Sequence, residues 1–111
     1  MKIKLIIMLF FATATVAQTQ KDSIEVRGNC TMCKKRIERA ALSTKGVKYA
    51  SWTAETQQLI LIYNAKKTNT KSVAKNIAAV GHEADSIVAT EEAYNALPAC
   101  CLYKSVLPHG D

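Results

Sequence analysis

The chain has 111 residues, four of them cysteine, and a formal net charge of +6 at pH 7. That length suits one small domain with a modest core. Phe10 and Phe11 are the only Phe residues, and Trp52 and the Tyr residues are scattered, so the mild basic excess does not point to nucleic acid; the lack of a Ser/His/Asp triad, paired carboxylates or a phosphate loop argues against an enzyme.

Met1-Lys2-Ile3-Lys4 is a short basic start, Leu5 to Phe11 is an unbroken apolar run, and Thr15-Val16-Ala17 supplies small residues for cleavage before Gln18. This predicts a signal peptide over 1–17, the apolar run being short for a membrane span. An uncleaved anchor is the competing reading. Cleavage near Ala17 removes Lys2 and Lys4 and takes the charge from +6 to +4. The expected location is therefore outside the cytoplasm, periplasmic or secreted, where four cysteines form disulfides by default with three connectivities open.

After a polar lead-in over 18–22, Ser23 to Arg27 alternates polar and apolar, the period of a half-buried strand, and Gly28-Asn29 breaks it. From Thr31 to Lys45 the period is helical: Cys33, Ile37, Ala40, Ala41 and Thr44 share one face, Lys34, Lys35, Glu38 and Arg39 fall on others, and Gly46 is the expected C-cap. Val47 to Thr53 and Gln58 to Tyr63 read as strands joined by a hairpin loop at Ala54-Glu55-Thr56-Gln57. Thr70 is the expected N-cap of a second helix through Val73, Ile77 and Val80, stopped by Gly81. Ala84 to Ala89 supplies a fourth strand.

The order is β-α-β-β-α-β, an α+β ferredoxin-like sandwich over 23–90 with two helices on a four-stranded antiparallel sheet. An extension over 91–111 follows. Thr90 caps a short helix to Leu97 with Glu91 and Glu92 in its first turn, Pro98 stops it, and Cys100-Cys101 comes next.

Two cysteines three apart, Cys30 and Cys33, thus sit where a strand gives way to a helix. Helix N-termini stabilise anions, and the thiolate is the metal-binding and nucleophilic form of cysteine. A CxxC alone fits redox and zinc sites equally. Here Val26-x-Gly28 leads into it, Ile37 and Ala40 follow on the helix, and Gly46-Val47, Ala50, Trp52, Thr56, Tyr63-Asn64, Ile77 and Gly81-His82-Glu83-Ala84 fall at consistent spacing. In this the chain resembles heavy-metal-associated domains, the modules of copper chaperones, metal-transporting ATPases and periplasmic mercury-binding proteins.

There are departures from that pattern. The family loop reads Gly-Met-Thr-Cys-x-x-Cys, whereas Gly28-Asn29-Cys30-Thr31-Met32-Cys33 is one residue shorter and lacks the Met that packs beneath the loop. Met32 is expected to take over that packing, with an outward thioether ligand as the alternative. His82 replaces a common Tyr, and Lys45 a common Pro.

The resemblance implies Cys30 and Cys33 as metal ligands. Two soft thiolates favour Cu(I), with Hg(II) next; Zn(II) ordinarily takes four ligands. Cys100, Cys101 and His82 are candidate additional ligands. Adjacent side chains diverge, so one of Cys100 and Cys101 is expected to reach a shared ion, the competing reading being a disulfide that staples the tail. A single His in a turn is more often a solvated polar residue, and that reading is preferred for His82. His109 carries no assignment. Lys34, Lys35, Arg36 and Arg39 form a basic cluster beside the loop, able to offset thiolate charge or steer an acidic partner.

The function implied is capture, buffering or transfer of Cu(I), without catalysis. A mercury(II) scavenger, a thiol-disulfide exchange protein and a disulfide-stapled interaction domain are the alternatives. The implied partners are the metal ion and a metal-transporting membrane protein or another cysteine-bearing site, with the chain a monomer or a metal-bridged dimer.

Overall fold

The described elements are β1 (Thr19–Glu25), α1 (Thr31–Leu42), β2 (Val47–Thr53), β3 (Gln58–Asn64), α2 (Thr70–Ala79) and α3 (Glu91–Asn95), followed by a 3-10 turn at Ala99–Cys101. The computed structural model describes residues 18–104. The expected signal peptide and the stretch around His109 lie outside them.

β3 is the central strand of an antiparallel sheet ordered β1-β3-β2. Its alternation is strict: Leu59, Leu61 and Tyr63 are buried and Ile60 is exposed. The buried side meets Ile24, Val26 and Trp52 of the same face and the apolar stripes of both helices. Those stripes are Cys33, Ile37, Ala40 and Ala41 on α1 and Val73, Ala74, Ile77 and Ala78 on α2, at the 3–4 residue spacing that lines one side of a helix. Each fully buried Leu or Ile contributes roughly 1.5–3 kcal/mol. This small set therefore carries much of the fold.

Several boundaries differ from the sequence reading. β1 begins at Thr19, so the supposed polar lead-in is strand. It pairs with β3 from Thr19↔Asn64 to Glu25↔Gln58, yet its first residues are exposed on both faces and leave no hydrophobic alternation to read. α1 ends at Leu42 with Ser43 as C-cap, three residues before the expected end, and Gly46 serves the following turn in the left-handed region at φ +100°. The cap of α2 is Asn69 rather than Thr70: its side chain accepts from the Ser72 N–H at 2.8 Å. The expected hairpin loop at 54–57 and the Thr90 cap of α3 are both present, the latter accepting from Ala93 N–H at 3.1 Å.

The expected fourth strand does not form, and among the described residues the sheet has three strands. Ala84 makes a single bridge to Val26, with Arg27 N–H donating to Glu83 O and Asp85 N–H to Glu25 O. The chain then folds back on itself. Ala84 and Ile87 exchange both of their backbone hydrogen bonds, at 3.0 and 2.9 Å, and Asp85 between them is left-handed at φ 56°. Groups that would have paired along β1 are thus consumed within a tight turn.

That turn sends the extension back across the molecule. Tyr94, Leu97, Cys101 and Tyr103 are buried in the same core as the sheet and helices. Gly81 makes the close approach of α3 workable, because a Cβ there would sit 2.7 Å from Ala93 O and 2.9 Å from the Leu97 side chain. Among the described residues no helix is long and apolar enough to cross a membrane.

Candidate metal centre

The loop between β1 and α1 is held from below and from the side. Trp52 is buried under it, its Nε1–H donating to Val26 O at 2.9 Å. Gly28 lies so close to the indole that a Cβ there would be 3.0 Å from the ring and 3.1 Å from Cys33 Cβ. Gln57, in the β2–β3 hairpin, grips the same residue twice: its Oε1 accepts from Gly28 N–H at 3.1 Å and its Nε2 donates to Gly28 O at 3.0 Å. Its backbone carbonyl also accepts from Val26 N–H at 2.8 Å. Met32 does not pack beneath the loop as expected. It is half exposed, and Trp52 occupies the space instead. The Met32 Sδ lies 3.9 Å from Cys100 Sγ at the rim.

Cys30 is the N-cap of α1 and Cys33 lies in its first turn. Their Sγ atoms are 3.5 Å apart, and Asn29 N–H points at Cys33 Sγ from 3.4 Å. The tail closes over this pair. Cys30 Sγ lies 3.0 Å from Cys100 Sγ and 3.7 Å from Cys101 Sγ, and the two tail sulfurs are 3.9 Å apart. Both members of the adjacent pair therefore reach the loop, where one was expected. The 3-10 turn after Pro98 carries Cys101 into the interior, fully buried, and leaves Cys100 exposed at the rim. All four are free cysteines.

His82 is likewise not a solvated turn residue. It is fully buried, with Nδ1 2.8 Å from Arg27 O, so that nitrogen carries the proton and donates it. Nε2 is buried with no hydrogen-bond partner. A ring nitrogen of His82 and the sulfurs of Cys33 and Cys101 all lie within 4.8 Å of one another, as do the sulfurs of Cys30, Cys100 and Cys101.

The tail that supplies these groups is anchored at several points. Tyr103 Oη donates to Gly81 O at 3.0 Å and accepts from Glu83 N–H at 2.9 Å, while its ring stacks on His82 with centroids 5.6 Å apart. Asn29 Nδ2 donates to Cys100 O at 3.3 Å, fixing the turn to the loop. Lys104 lies over the Tyr94 ring at 4.6 Å.

Burial and hydrogen bonding set the protonation of the cluster. Burial pushes the Cys30 thiol up, but hydrogen bonds from Cys100, from the Cys33 backbone and side chain and from Cys101 outweigh it and bring Cys30 down to about 7. Cys100 is raised by its bond to Cys30, and Cys101 chiefly by burial. Desolvation lowers His82 to about 4, so its imidazole is neutral, the form that ligates. The folded chain thus favours the Cys30 thiolate relative to the ordinary thiol at 9.0. That contribution to stability is complete above 9.0 and is lost as pH falls through about 7. An ultraviolet thiolate titration of the reduced apo protein should show its first step near 7, and Cys30→Ser should remove that step; a first step near 9 in the wild type would contradict the assignment.

Of the basic cluster, Lys34 is committed to Glu38 at 2.6 Å and Trp52 O at 2.8 Å, and Arg36 donates to Val80 O at 3.3 Å. Lys35, Arg36 and Arg39 line an open groove of about 500 Å³ together with Met32, Val80 and Pro98, beside the metal loop.

Known proteins share this fold. Oxidized MerP from Ralstonia metallidurans CH34 aligns over 60% of this chain and 94% of its own, with TM-score 0.57 and 26% identity. The domain is similar to heavy-metal-associated modules. The CopZ metallochaperone shares the fold at TM-score 0.56 and 24% identity, over 59% of this chain and 98% of its own. A copper-exporting P-type ATPase of Staphylococcus epidermidis is 33% identical over 57 residues, which is 51% of this chain. The chain spans 7% of the length of that ATPase. No family model matches the chain.

Sequence reasoning missed Gln57, Asn29 and Tyr103 as supports of this cysteine loop. Gln57 and Asn29 gave no signal. Tyr103, an aromatic two residues after the cysteine pair, could have marked the tail as buried.

Proposed function

We propose that this protein is an exported carrier of soft metal ions that captures, buffers or hands on Cu(I) through Cys30 and Cys33, with Cys100 and Cys101 completing the thiolate set. The convergence of three sulfurs on Cys30 Sγ, at 3.0, 3.5 and 3.7 Å, carries this reading. Thiolates are soft donors that select Cu(I), and the copper-exporting ATPase and CopZ metallochaperone resemblances favour the same cargo. Export rests on the basic start, apolar run and small residues before Gln18.

Handover is a ligand exchange. An incoming cysteine of a partner first replaces Cys100, the exposed sulfur, and the buried thiolates release the ion afterwards. The partner is proposed to be a metal-transporting membrane protein, on the strength of the partial likeness to the copper-exporting ATPase. The basic groove wall of Lys35 and Arg39 would steer an acidic face of that partner toward the loop. Hg(II) is the second reading, favoured by the likeness to MerP, a protein also solved in a mercury-bound form.

Metal analysis of the protein exported by its native host, with Cys30→Ser alongside, tests the proposal. Copper bound to the wild type and lost from Cys30→Ser is the expected result. Mercury or zinc in place of copper, or equal copper in both, would overturn it.

A further inference from the structure

We propose that the cluster seats two Cu(I) ions, the inner one held by Cys33, Cys101 and Nε2 of His82, the outer one by Cys30, Cys100 and Cys101. This deepens the Cu(I) reading and rests on it.

The donor set is too large for one ion. Four sulfurs and one imidazole nitrogen converge; the triads Cys30–Cys100–Cys101 and Cys33–His82–Cys101 share only Cys101, and the 3.5 Å contact of Cys30 with Cys33 joins the two. The outer sulfurs are separated by 3.0, 3.7 and 3.9 Å. Three thiolates around a trigonal ion with bonds of about 2.3 Å stand about 4 Å apart, so the two edges at Cys101 already fit and the Cys30–Cys100 edge opens by about 1 Å, on the side where Cys100 is exposed. The inner donors lie within 4.8 Å of one another and their residues are fully buried, whereas Cys100 is exposed.

His82 supplies the independent observation. A buried acceptor without a partner has lost its hydration with nothing in return, and such a group in a folded protein calls for an explanation. Packing does not provide one, since the stack on Tyr103 needs only a flat ring. The bond from Nδ1 to Arg27 O fixes the tautomer with the lone pair on Nε2, which is the arrangement that orients a metal-bound imidazole.

Charge points the same way. Four thiolates around one Cu(I) leave a net charge of −3, much of it on the buried sulfurs of Cys33 and Cys101. A second Cu(I) brings this to −2 and places a cation beside both, easing the cost of buried charge. Cys101 thiolate bridges the two ions. Copper remains Cu(I) throughout, no electron is transferred, and each bound thiol releases its proton to solvent.

The test is anaerobic titration of the reduced full chain with Cu(I) in competition with a coloured Cu(I) chelator, reading copper per monomer. X-ray absorption identifies the donors. The wild type should retain two equivalents, with a Cu–N component and a short Cu–Cu vector. His82→Phe, which keeps the ring against Tyr103, should retain one, with sulfur donors only and no Cu–Cu vector. On the wild type alone, Cu(I) should shift the His82 Nε2 resonance in nitrogen-15 NMR, a readout independent of how the variant folds. One equivalent in the wild type with an unmoved His82 resonance would overturn the two-ion site and leave the Cu(I) reading intact. No retained copper in the wild type would overturn both.

Discussion

Replacing Cys100 and Cys101 together by serine should lower Cu(I) affinity by more than the roughly 10–100-fold that loss of an outer-shell partner typically costs a metal site. Chelator competition under reducing conditions measures it. Serine preserves the size of each side chain while replacing a soft sulfur with a hard oxygen, so the tail can still dock through Tyr103 and Asn29. Cys30 and Cys33 remain, 3.5 Å apart, and can hold an ion between two sulfurs. What is lost is the enclosure. Cys101 is fully buried and Cys100 lies 3.0 Å from Cys30, so their removal opens the ion to solvent and to competing thiols. An unchanged affinity, with the thermal melt also unchanged, would show that the tail is a structural lid rather than part of the ligand set.

Trp52→Ala should destabilise the domain by about 3–5 kcal/mol, the range for removing a large aromatic from a core. Urea unfolding of the apo protein is the measurement. A small domain has a total stability on the order of 5–15 kcal/mol, so this single change removes a large share. The indole is 1% exposed and anchors Val26 O, and its edge is the floor on which Gly28 rests. The cavity left behind lies directly beneath the metal loop. Cu(I) affinity should therefore fall along with stability. A variant that unfolds at the wild-type urea concentration would show that another side chain supports the loop.

Much of the domain was legible in the sequence because its signals are local and repetitive. The alternation in β3 and the 3–4 spacing of Cys33, Ile37, Ala40 and Ala41 marked the sheet centre and the inner face of α1 directly. Where burial is one-sided the pattern is written in the residues. The start of β1 was not legible, because Thr19 to Asp22 pair through backbone groups and bury little. The missing fourth strand has the opposite cause. Ala84 to Ala89 has strand-like composition, but a two-residue turn at Asp85 and Ser86 closes it on itself.

The CxxC loop stood out from its spacing, but its surroundings did not. Nothing local distinguishes a buried His82 from a solvated one, because its burial is created by Tyr103, a residue 21 positions later that stacks on it. The divergence expected of adjacent side chains misjudged Cys100 and Cys101 for a related reason. The loop offers a rim and an interior at once, and divergent side chains reach both.

The contact between Cys30 and Cys100 joins positions 70 residues apart. Once both sulfurs hold the same ion, that contact is a cross-link closing most of the domain into a loop. A permanent link of this span would disfavour the unfolded chain by on the order of 4 kcal/mol in the chain-entropy picture. A metal link acts in the same direction for as long as it persists, scaled by occupancy. The carrier would then be tightest when loaded and would loosen as it delivers, so that its resistance to unfolding and to proteases follows its cargo.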